Sequence, residues 1–104
     1  MTLPDLDKEG YLADLSDWSP EVAVHLAAEE GIQLNERHME LIELVRAYYE
    51  EKEVAPAMRP LVRLVKQRLG AERGNSIYLM GLFPQSPAKQ LARIAGLPRP
   101  TNCI

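Results

Sequence analysis

The sequence lacks several features that stabilise or equip other small proteins. Its 104 residues include one cysteine and two histidines, and no apolar run approaches the ~20 residues that a membrane-spanning helix requires. A single cysteine excludes an internal disulfide and fits a reducing compartment. His25 and His38 stand thirteen residues apart without an HExxH pattern, so the sequence gives no indication of a zinc site.

The length limits the chain to one compact unit. About 100 residues is the usual size of one domain and buries roughly two-thirds of the unfolded surface, which excludes a large two-domain enzyme. With 46% hydrophobic and 26% charged residues the chain is too apolar for general disorder. The first ten residues have neither the basic nor the apolar region of a secretory signal, so we expect a cytoplasmic protein.

The formal net charge of -3 conceals two halves of opposite charge. Residues 1–53 hold 14 acidic and 4 basic side chains, whereas residues 54–104 hold 1 acidic and 8 basic ones. The corresponding net charges are -10 and +7. We expect the positive half to meet acidic partner surfaces and the negative half to be a solvated scaffold.

Capping residues and apolar spacing predict five helices in a mainly α-helical chain of the α+β class. The first helix follows Ser19 and ends at Gly31, and the second begins at Asn35. The third runs from Pro56 to Gly70. A short fourth helix follows Asn75 or Ser76 and ends at Pro84, and the fifth follows Ser86 and ends at Gly96.

The two ends of the chain follow other patterns. Turn-forming residues between short half-apolar runs in the first fourteen residues predict a small β-hairpin. Two alternating prolines and no periodicity after Gly96 predict an extended C-terminal arm. We therefore divide the chain into a helical domain over 1–96 and a mobile arm over 97–104.

Cys103 is the candidate reactive residue. The general alternative for a cysteine is a thiol packed in the core. A penultimate position beyond two prolines instead favours an exposed, usable thiol. Seven residue steps from Gly96 at ~3.1 Å each would carry the sulfur roughly 22 Å from the last helix. Nearby cations favour the thiolate, whereas the carboxylate of Ile104 opposes it.

Five basic residues are candidates for partner docking and for steering the arm: Lys89, Arg93, Arg99, Arg59 and Arg63. Arg59, Arg63 and Lys66 fall on one face of the third predicted helix. Three interpretations remain for this face: a solvated surface, a dock for an acidic protein or tRNA, and the recognition helix of a helix-turn-helix. The acidic first half disfavours free nucleic-acid binding, so protein docking is preferred.

Several short motifs resemble the DsrC/TusE family of sulfur carriers over nearly the whole chain. They are DLSDW at 14–18, EGI at 30–32, LVRAYY at 44–49, RPL at 59–61, LFP at 82–84, PAKQ at 87–90 and IAGLPRP at 94–100, followed by the penultimate Cys103. The resemblance implies a small orthogonal bundle of helices, helix-turn-helix-like, with an N-terminal β-hairpin and a mobile C-terminal arm. Asn102 and Met39 depart from the family's usual Gly and Trp.

The resemblance also implies a function. Family members with two cysteines carry the second one eleven positions before the penultimate residue, where this sequence has Ala92. The single-cysteine pattern is similar to carriers in which the penultimate cysteine, here Cys103, accepts persulfide sulfur from a TusBCD-like donor. Such carriers pass the sulfur to an MnmA-like thiouridylase for 2-thiolation of the tRNA wobble uridine. Thiolate attack on sulfur requires no metal or organic cofactor, and we expect a free monomer without membrane contact.

Two other functions stay open. A single-cysteine carrier of the DsrC kind, serving sulfur oxidation or trafficking, would use the same chemistry with a different acceptor. A DNA-binding regulator of the helix-turn-helix class would use the basic face that extends from Arg59 to Arg68, and its binding would survive loss of Cys103.

Overall fold

The architecture is a bundle of five α-helices, seen in a computed structural model that describes residues 4–100. The helices are α1 (Pro20–Glu29), α2 (Glu36–Lys52), α3 (Met58–Leu69), α4 (Ser76–Leu82) and α5 (Pro87–Ile94). The prediction of a small, mainly helical protein with about five helices is confirmed. Among the described residues, no helix has the length and hydropathy needed to cross a membrane.

Local capping chemistry explains where the helices begin and end. The side chains of Ser19, Asn35 and Asn75 accept backbone N–H groups in the first turns of α1, α2 and α4, as N-cap residues do. Gly70 ends α3 with a φ of 98°. The predicted start of α3 at Pro56 is two residues early, because the backbone is still extended immediately before Met58.

The N-terminal segment does not form the predicted β-hairpin. Residues 4–100 contain no strand, and Leu6 and Leu12 form one isolated antiparallel bridge. The turn itself is present, because the Asp7 carboxylate accepts two backbone N–H groups across it. Pairing stops after Leu12 because Asp14 caps a 3₁₀ turn over Leu15–Asp17, which takes the chain out of register.

Helix α5 occupies the centre of the bundle and contacts each of the other four helices. Every helix contributes fully buried apolar side chains to one continuous core. The largest of them are Phe83, Leu26, Leu41, Ile42, Leu61, Leu79, Leu91, Ile94, Val45 and Val65. Burial of each of these side chains contributes about 1.5–3 kcal/mol to the stability of the fold. The packing of this core therefore determines the position of α5.

His38 is a buried polar residue whose hydrogen bonds are both used within the fold. Its Nδ1 accepts the backbone N–H of Asn35 at 3.1 Å, and its Nε2 donates to the carbonyl of Leu82 at 2.9 Å. The ring also meets Phe83 edge-to-face with 5.2 Å between centroids. His38 therefore closes the capping box of α2 and joins α2 to the end of α4.

Two side chains from earlier in the sequence hold the carboxyl end of α5. The indole N–H of Trp18 donates to the carbonyl of Ile94 at 2.9 Å, and Arg46 donates to the carbonyl of Ala95 at 2.6 Å. The Arg46 guanidinium also lies 3.9 Å from the centre of the Trp18 ring, within cation–π distance. The last carbonyl groups of α5 thus have side-chain partners.

Gly96 turns the chain sharply at this point. Its φ of 75° lies in the left-handed region, and a Cβ placed on it would overlap the Trp18 side chain. The turn lets the N–H of Leu97 donate to the carbonyl of Ala92 at 2.9 Å, as in helix ends that stop on a left-handed glycine.

Arg93 joins α5 to α1 and to the N-terminal loop. Its guanidinium donates to Glu29, to Glu30 at 2.9 Å and to the carbonyl of Gly10 at 2.8 Å. The Arg93 side chain is only 15% exposed, whereas Glu29 is 41% and Glu30 23% exposed, so the contact with Glu30 is the better shielded from water. Arg93 is therefore engaged inside the helical body.

Gly96→Ala should destabilise the protein strongly, because alanine would meet both an unfavourable φ and the Trp18 ring. We expect the free energy of unfolding to fall by about 2–4 kcal/mol in urea titrations followed by circular dichroism. Gly81→Ala is the matched control, since Gly81 lies within α4 with nothing within 4 Å of an added Cβ. It should raise stability by about 0.5–1 kcal/mol. Equal stabilities for the two variants would contradict this account of Gly96.

Arg93→Met should lower the free energy of unfolding by about 2–4 kcal/mol, because it leaves two carboxylates beside an apolar side chain. Lys89→Met removes a cation from the same helix at an exposed position and should change stability by no more than about 0.5 kcal/mol. The same urea titrations measure both. A loss for Lys89→Met as large as that for Arg93→Met would contradict a specific structural role for Arg93.

Candidate functional site

The first residues of the predicted arm lie against the helical body. Leu97 is 2% exposed and belongs to the core, and Pro100 is also buried. Arg99 between them is exposed. Residues 97–100 thus form a packed base for the arm, whereas the predicted thiol of Cys103 lies outside the described residues.

The N-terminal loop covers this base. Arg99 forms an ion pair with Glu9, with 2.7 Å between Nη1 and Oε2. Both side chains are about half exposed, so the pair contributes under about 1 kcal/mol and mainly orients the two segments.

Tyr11 lies beneath the same loop and links it to α5. The side chain is buried, and its hydroxyl donates to the carbonyl of Lys89 over a long 3.4 Å. Burial raises the pKa of Tyr11, and the nearby Arg99 guanidinium opposes that rise. The phenol is therefore neutral at physiological pH and serves as a hydrogen-bond donor rather than as an anion.

An open cavity of about 270 Å³ lies beside Pro100, between the starts of α3 and α5. We call it the arm-base cavity. Its lining consists of Met58, Gln85, Ser86, Pro87, Ala88, Lys89 and Pro100. The volume is below that of typical drug-sized ligand sites, so it suits a side chain better than a cofactor. The exposed Lys89 gives the cavity a positive edge.

Gln90 forms hydrogen bonds to two of the residues that line this cavity. Its buried side-chain carbonyl accepts the backbone N–H groups of Gln85 and Ser86, each at 3.1 Å. Its amide donates to Glu30 at 3.3 Å. One buried amide therefore connects the loop before α5 to the end of α1.

The five predicted docking cations lie in three different environments. Lys89 and Arg99 flank the base of the arm, and Arg93 lies inside the body with its carboxylate partners. Arg59 and Arg63 are exposed on α3, and both line a second concave surface. The structure therefore brings Lys89 and Arg99 to the arm and assigns Arg59 and Arg63 to a separate face.

The sequence did not identify the residues that hold the arm base in place. Glu9, Tyr11, Trp18 and Arg46 all contact α5 or the arm, but each is distant from them in sequence. Apolar periodicity carries no information on such side-chain to backbone contacts. The motifs around Trp18 and Arg46 that support the family resemblance were the only available signal.

Metal ligands do not converge in the described part of the chain. Within residues 4–100, no three His, Asp or Glu side chains are grouped as a metal site would require. His25 instead lies 3.5 Å from Glu29 on the surface of α1, and His38 is used in the core.

Comparison with known proteins identifies the family of this chain. The family model described as "DsrC like protein" matches residues 2–104. The sulfurtransferase TusE of Yersinia pseudotuberculosis is 51% identical over 100 residues, which is 96% of this chain and 93% of the relative. The sulfurtransferase TusE of Salmonella typhimurium is 49% identical over 98 residues, covering 94% and 90% of the two chains.

Solved structures share the fold. The solution structure of Allochromatium vinosum DsrC has a TM-score of 0.87 and 50% identity, with 95% of this chain and 88% of that chain covered. The oxidised gamma-subunit of dissimilatory sulfite reductase (DsrC) from Archaeoglobus fulgidus has a TM-score of 0.83 and 40% identity, with 97% and 92% covered. By sequence and by fold, this chain belongs to the family of DsrC-like proteins.

Proposed function

We propose that this protein is a sulfur carrier that holds sulfane sulfur on Cys103. The Cys103 thiolate attacks the outer sulfur of a donor persulfide, a new S–S bond forms, and the donor cysteine leaves as its thiolate. An acceptor thiolate then attacks the outer sulfur of the Cys103 persulfide and releases the Cys103 thiolate. Sulfur moves between thiols in both steps without a net oxidant or reductant.

One observation carries the proposal: the family match extends to residue 104 and so includes Cys103, the chain's single cysteine. Relatives that are about half identical to this chain bear the name sulfurtransferase TusE.

The packed base of the arm limits where the thiol is presented. Three residue steps separate Pro100 from Cys103, so while Pro100 stays packed the Cα of Cys103 lies within about 11 Å of the Cα of Pro100. This reach is less than half of that expected for an arm that is free from Gly96, because seven residue steps separate Gly96 from Cys103. A sulfur-exchanging partner must therefore approach the body closely, or the arm base must unpack.

Lys89 and Arg99 are the residues that we propose to steer the arm. Both lie beside Pro100, and cations near a thiol favour the thiolate form that attacks sulfur. Arg93 supports them indirectly by fixing α5 and the N-terminal loop, while Arg59 and Arg63 on α3 are proposed for partner docking only.

The finer proposal concerns the two partners. The TusE relatives favour a TusBCD-like donor complex, an MnmA-like thiouridylase as acceptor, and 2-thiolation of the tRNA wobble uridine as the outcome. The protein would act in the cytoplasm as a free monomer, and it would reach tRNA only through the acceptor enzyme.

A single-cysteine DsrC-like role in sulfur oxidation or trafficking is the second candidate. Half of the aligned residues are identical to Allochromatium vinosum DsrC, which is as close as the TusE relatives. Both candidates use the same chemistry on Cys103 and differ in the acceptor protein.

Persulfide loading tests the carrier chemistry. After incubation with a competent persulfide donor, we expect the intact protein to gain about 32 Da for one sulfur atom, and reduction should reverse the gain. Cys103→Ser should gain nothing under the same conditions. A wild-type protein that stays unmodified while the donor loads another acceptor thiol would refute the proposal.

Thiolation of tRNA in cells distinguishes the acceptors. In a strain whose only copy carries Cys103→Ser, we expect wobble 2-thiouridine to fall close to zero, as measured by mass spectrometry of tRNA nucleosides. If this strain retains all of its 2-thiouridine while the wild-type protein loads persulfide normally in vitro, the tRNA route is excluded and the sulfur-oxidation role is favoured.

A further inference from the structure

The outer face of α3 forms a concave surface that the carrier chemistry does not use. We call it the α3 groove. It is an open concavity of about 420 Å³ lined by Met58, Arg59, Val62, Arg63, Lys66 and Ser76. The α3 members recur at helical spacing, so the groove follows the helix axis from Met58 to Lys66.

The cations of the α3 groove differ from three other arginines of the protein in having no carboxylate partner among the described residues. Arg73, Arg93 and Arg99 form ion pairs with carboxylates of the acidic half of the chain. No ion pair within residues 4–100 joins Arg59 or its two neighbours along the groove to a carboxylate. The groove therefore carries positive charge that the described part of the molecule does not neutralise.

The floor of the groove is apolar. Met58 and Val62 are partly buried against the core and remain accessible between the cations. Ser76 in the lining begins α4, and this helix exposes two large apolar side chains, Ile77 at 85% and Met80 at 49%. An apolar strip edged by charge is typical of protein recognition, where an apolar anchor is surrounded by a polar rim.

The groove is adjacent to the arm. Met58 lines both the α3 groove and the arm-base cavity, whose opposite wall contains Lys89 and Pro100. A molecule seated in the groove therefore lies next to the point from which the last residues extend. Covalent geometry limits the Cα of Cys103 to about 11 Å from that of a packed Pro100, which lines the cavity that shares Met58 with the groove.

We propose that the α3 groove is the docking surface for the protein that donates sulfur to Cys103, and that it binds an acidic surface segment carrying an apolar side chain. The inference rests on the proposed carrier function. The groove shares Met58 with the arm-base cavity, so a donor bound there would be held beside Pro100, three residues before Cys103.

A protein segment fits the groove better than a nucleic acid does. Three cations around an apolar floor match a few carboxylates around an apolar side chain. Nucleic-acid affinity depends on neutralising many phosphates, and the net charge of -3 works against it. Charge complementarity of this kind accelerates association and selects the correct partner.

Calorimetric titration against the proposed TusBCD-like donor complex tests the groove. All chains carry Cys103→Ser, so that binding is measured without sulfur transfer. We expect Arg59→Glu/Arg63→Glu, which we call the double reversal, to raise the Kd by at least about tenfold. Arg59→Ala/Arg63→Ala should have an intermediate effect. The matched control is Arg68→Glu, an exposed arginine that lies on the side of α3 facing α2 and outside the groove. It should change the Kd by less than about twofold.

Three results would overturn the proposal: absence of wild-type binding to the donor complex, unchanged binding of the double reversal, or equal losses for Arg68→Glu and the double reversal. The proposal would also be overturned if the double reversal abolished binding of a tRNA probe, or self-association, and left the affinity for the donor complex unchanged. Circular dichroism confirms that each variant is folded.

Loading of Cys103 by glutathione persulfide separates this test from that of the carrier chemistry. In chains that retain Cys103, the double reversal should load at the wild-type rate, because a small donor needs no docking. If neither chain loads, the carrier function fails, while the calorimetric comparison still decides whether the groove binds the donor complex. Slower loading of the double reversal alone would place the groove residues in the chemistry and contradict a docking role.

Discussion

The hydrogen bonds that Trp18 and Arg46 donate to the carboxyl end of α5 are the interaction on which the rest of the structure depends. Helix α5 contacts every other helix, so the position of its end determines how the bundle closes. Carbonyl groups at a buried helix end need partners, and here an indole N–H and a guanidinium provide them. A positive charge at this end of a helix is also favourable to the helix dipole. Beyond it, the chain turns at Gly96 and returns to the core.

The two charged halves of the sequence meet in the folded molecule. Glu9, Glu29 and Glu30 pair with Arg99 and Arg93, and Glu40 of α2 pairs with Arg73 in the loop before α4. The acidic half is thus more than a solvated scaffold, because it neutralises part of the basic half. The positive charge that the described residues do not compensate is concentrated on α3 and at the edge of the arm-base cavity.

Much of the helical framework could be predicted from the sequence because helix ends are set locally. Ser19, Asn35 and Asn75 act through hydrogen bonds to residues two or three positions ahead, so their chemistry is visible in a short stretch of sequence. The hairpin prediction was wrong because a correct turn does not determine how many residues pair beyond it. Asp14 redirects the chain after a single bridge.

The candidate site was harder to predict because its geometry depends on distant contacts. Arg93 and Lys89 lie one helical turn apart and look alike in sequence, yet one is enclosed by two carboxylates and the other faces solvent. Only the packing of α1 against α5 creates that difference. The proposed assignment of the thiol to Cys103, by contrast, rests on cysteine count and family resemblance and uses no tertiary information.

The contact between Trp18 and Gly96 also makes the two positions mutually dependent during sequence change. The indole fills the volume that any side chain at position 96 would need, so each residue limits what the other can become. A smaller residue at position 18 would open that volume, but it would leave the carbonyl of Ile94 without its donor and Arg46 without its aromatic surface. The effects of substitutions at the two sites are therefore non-additive. A change from Trp18 and Gly96 to another compatible pair of residues would pass through a single variant of low stability.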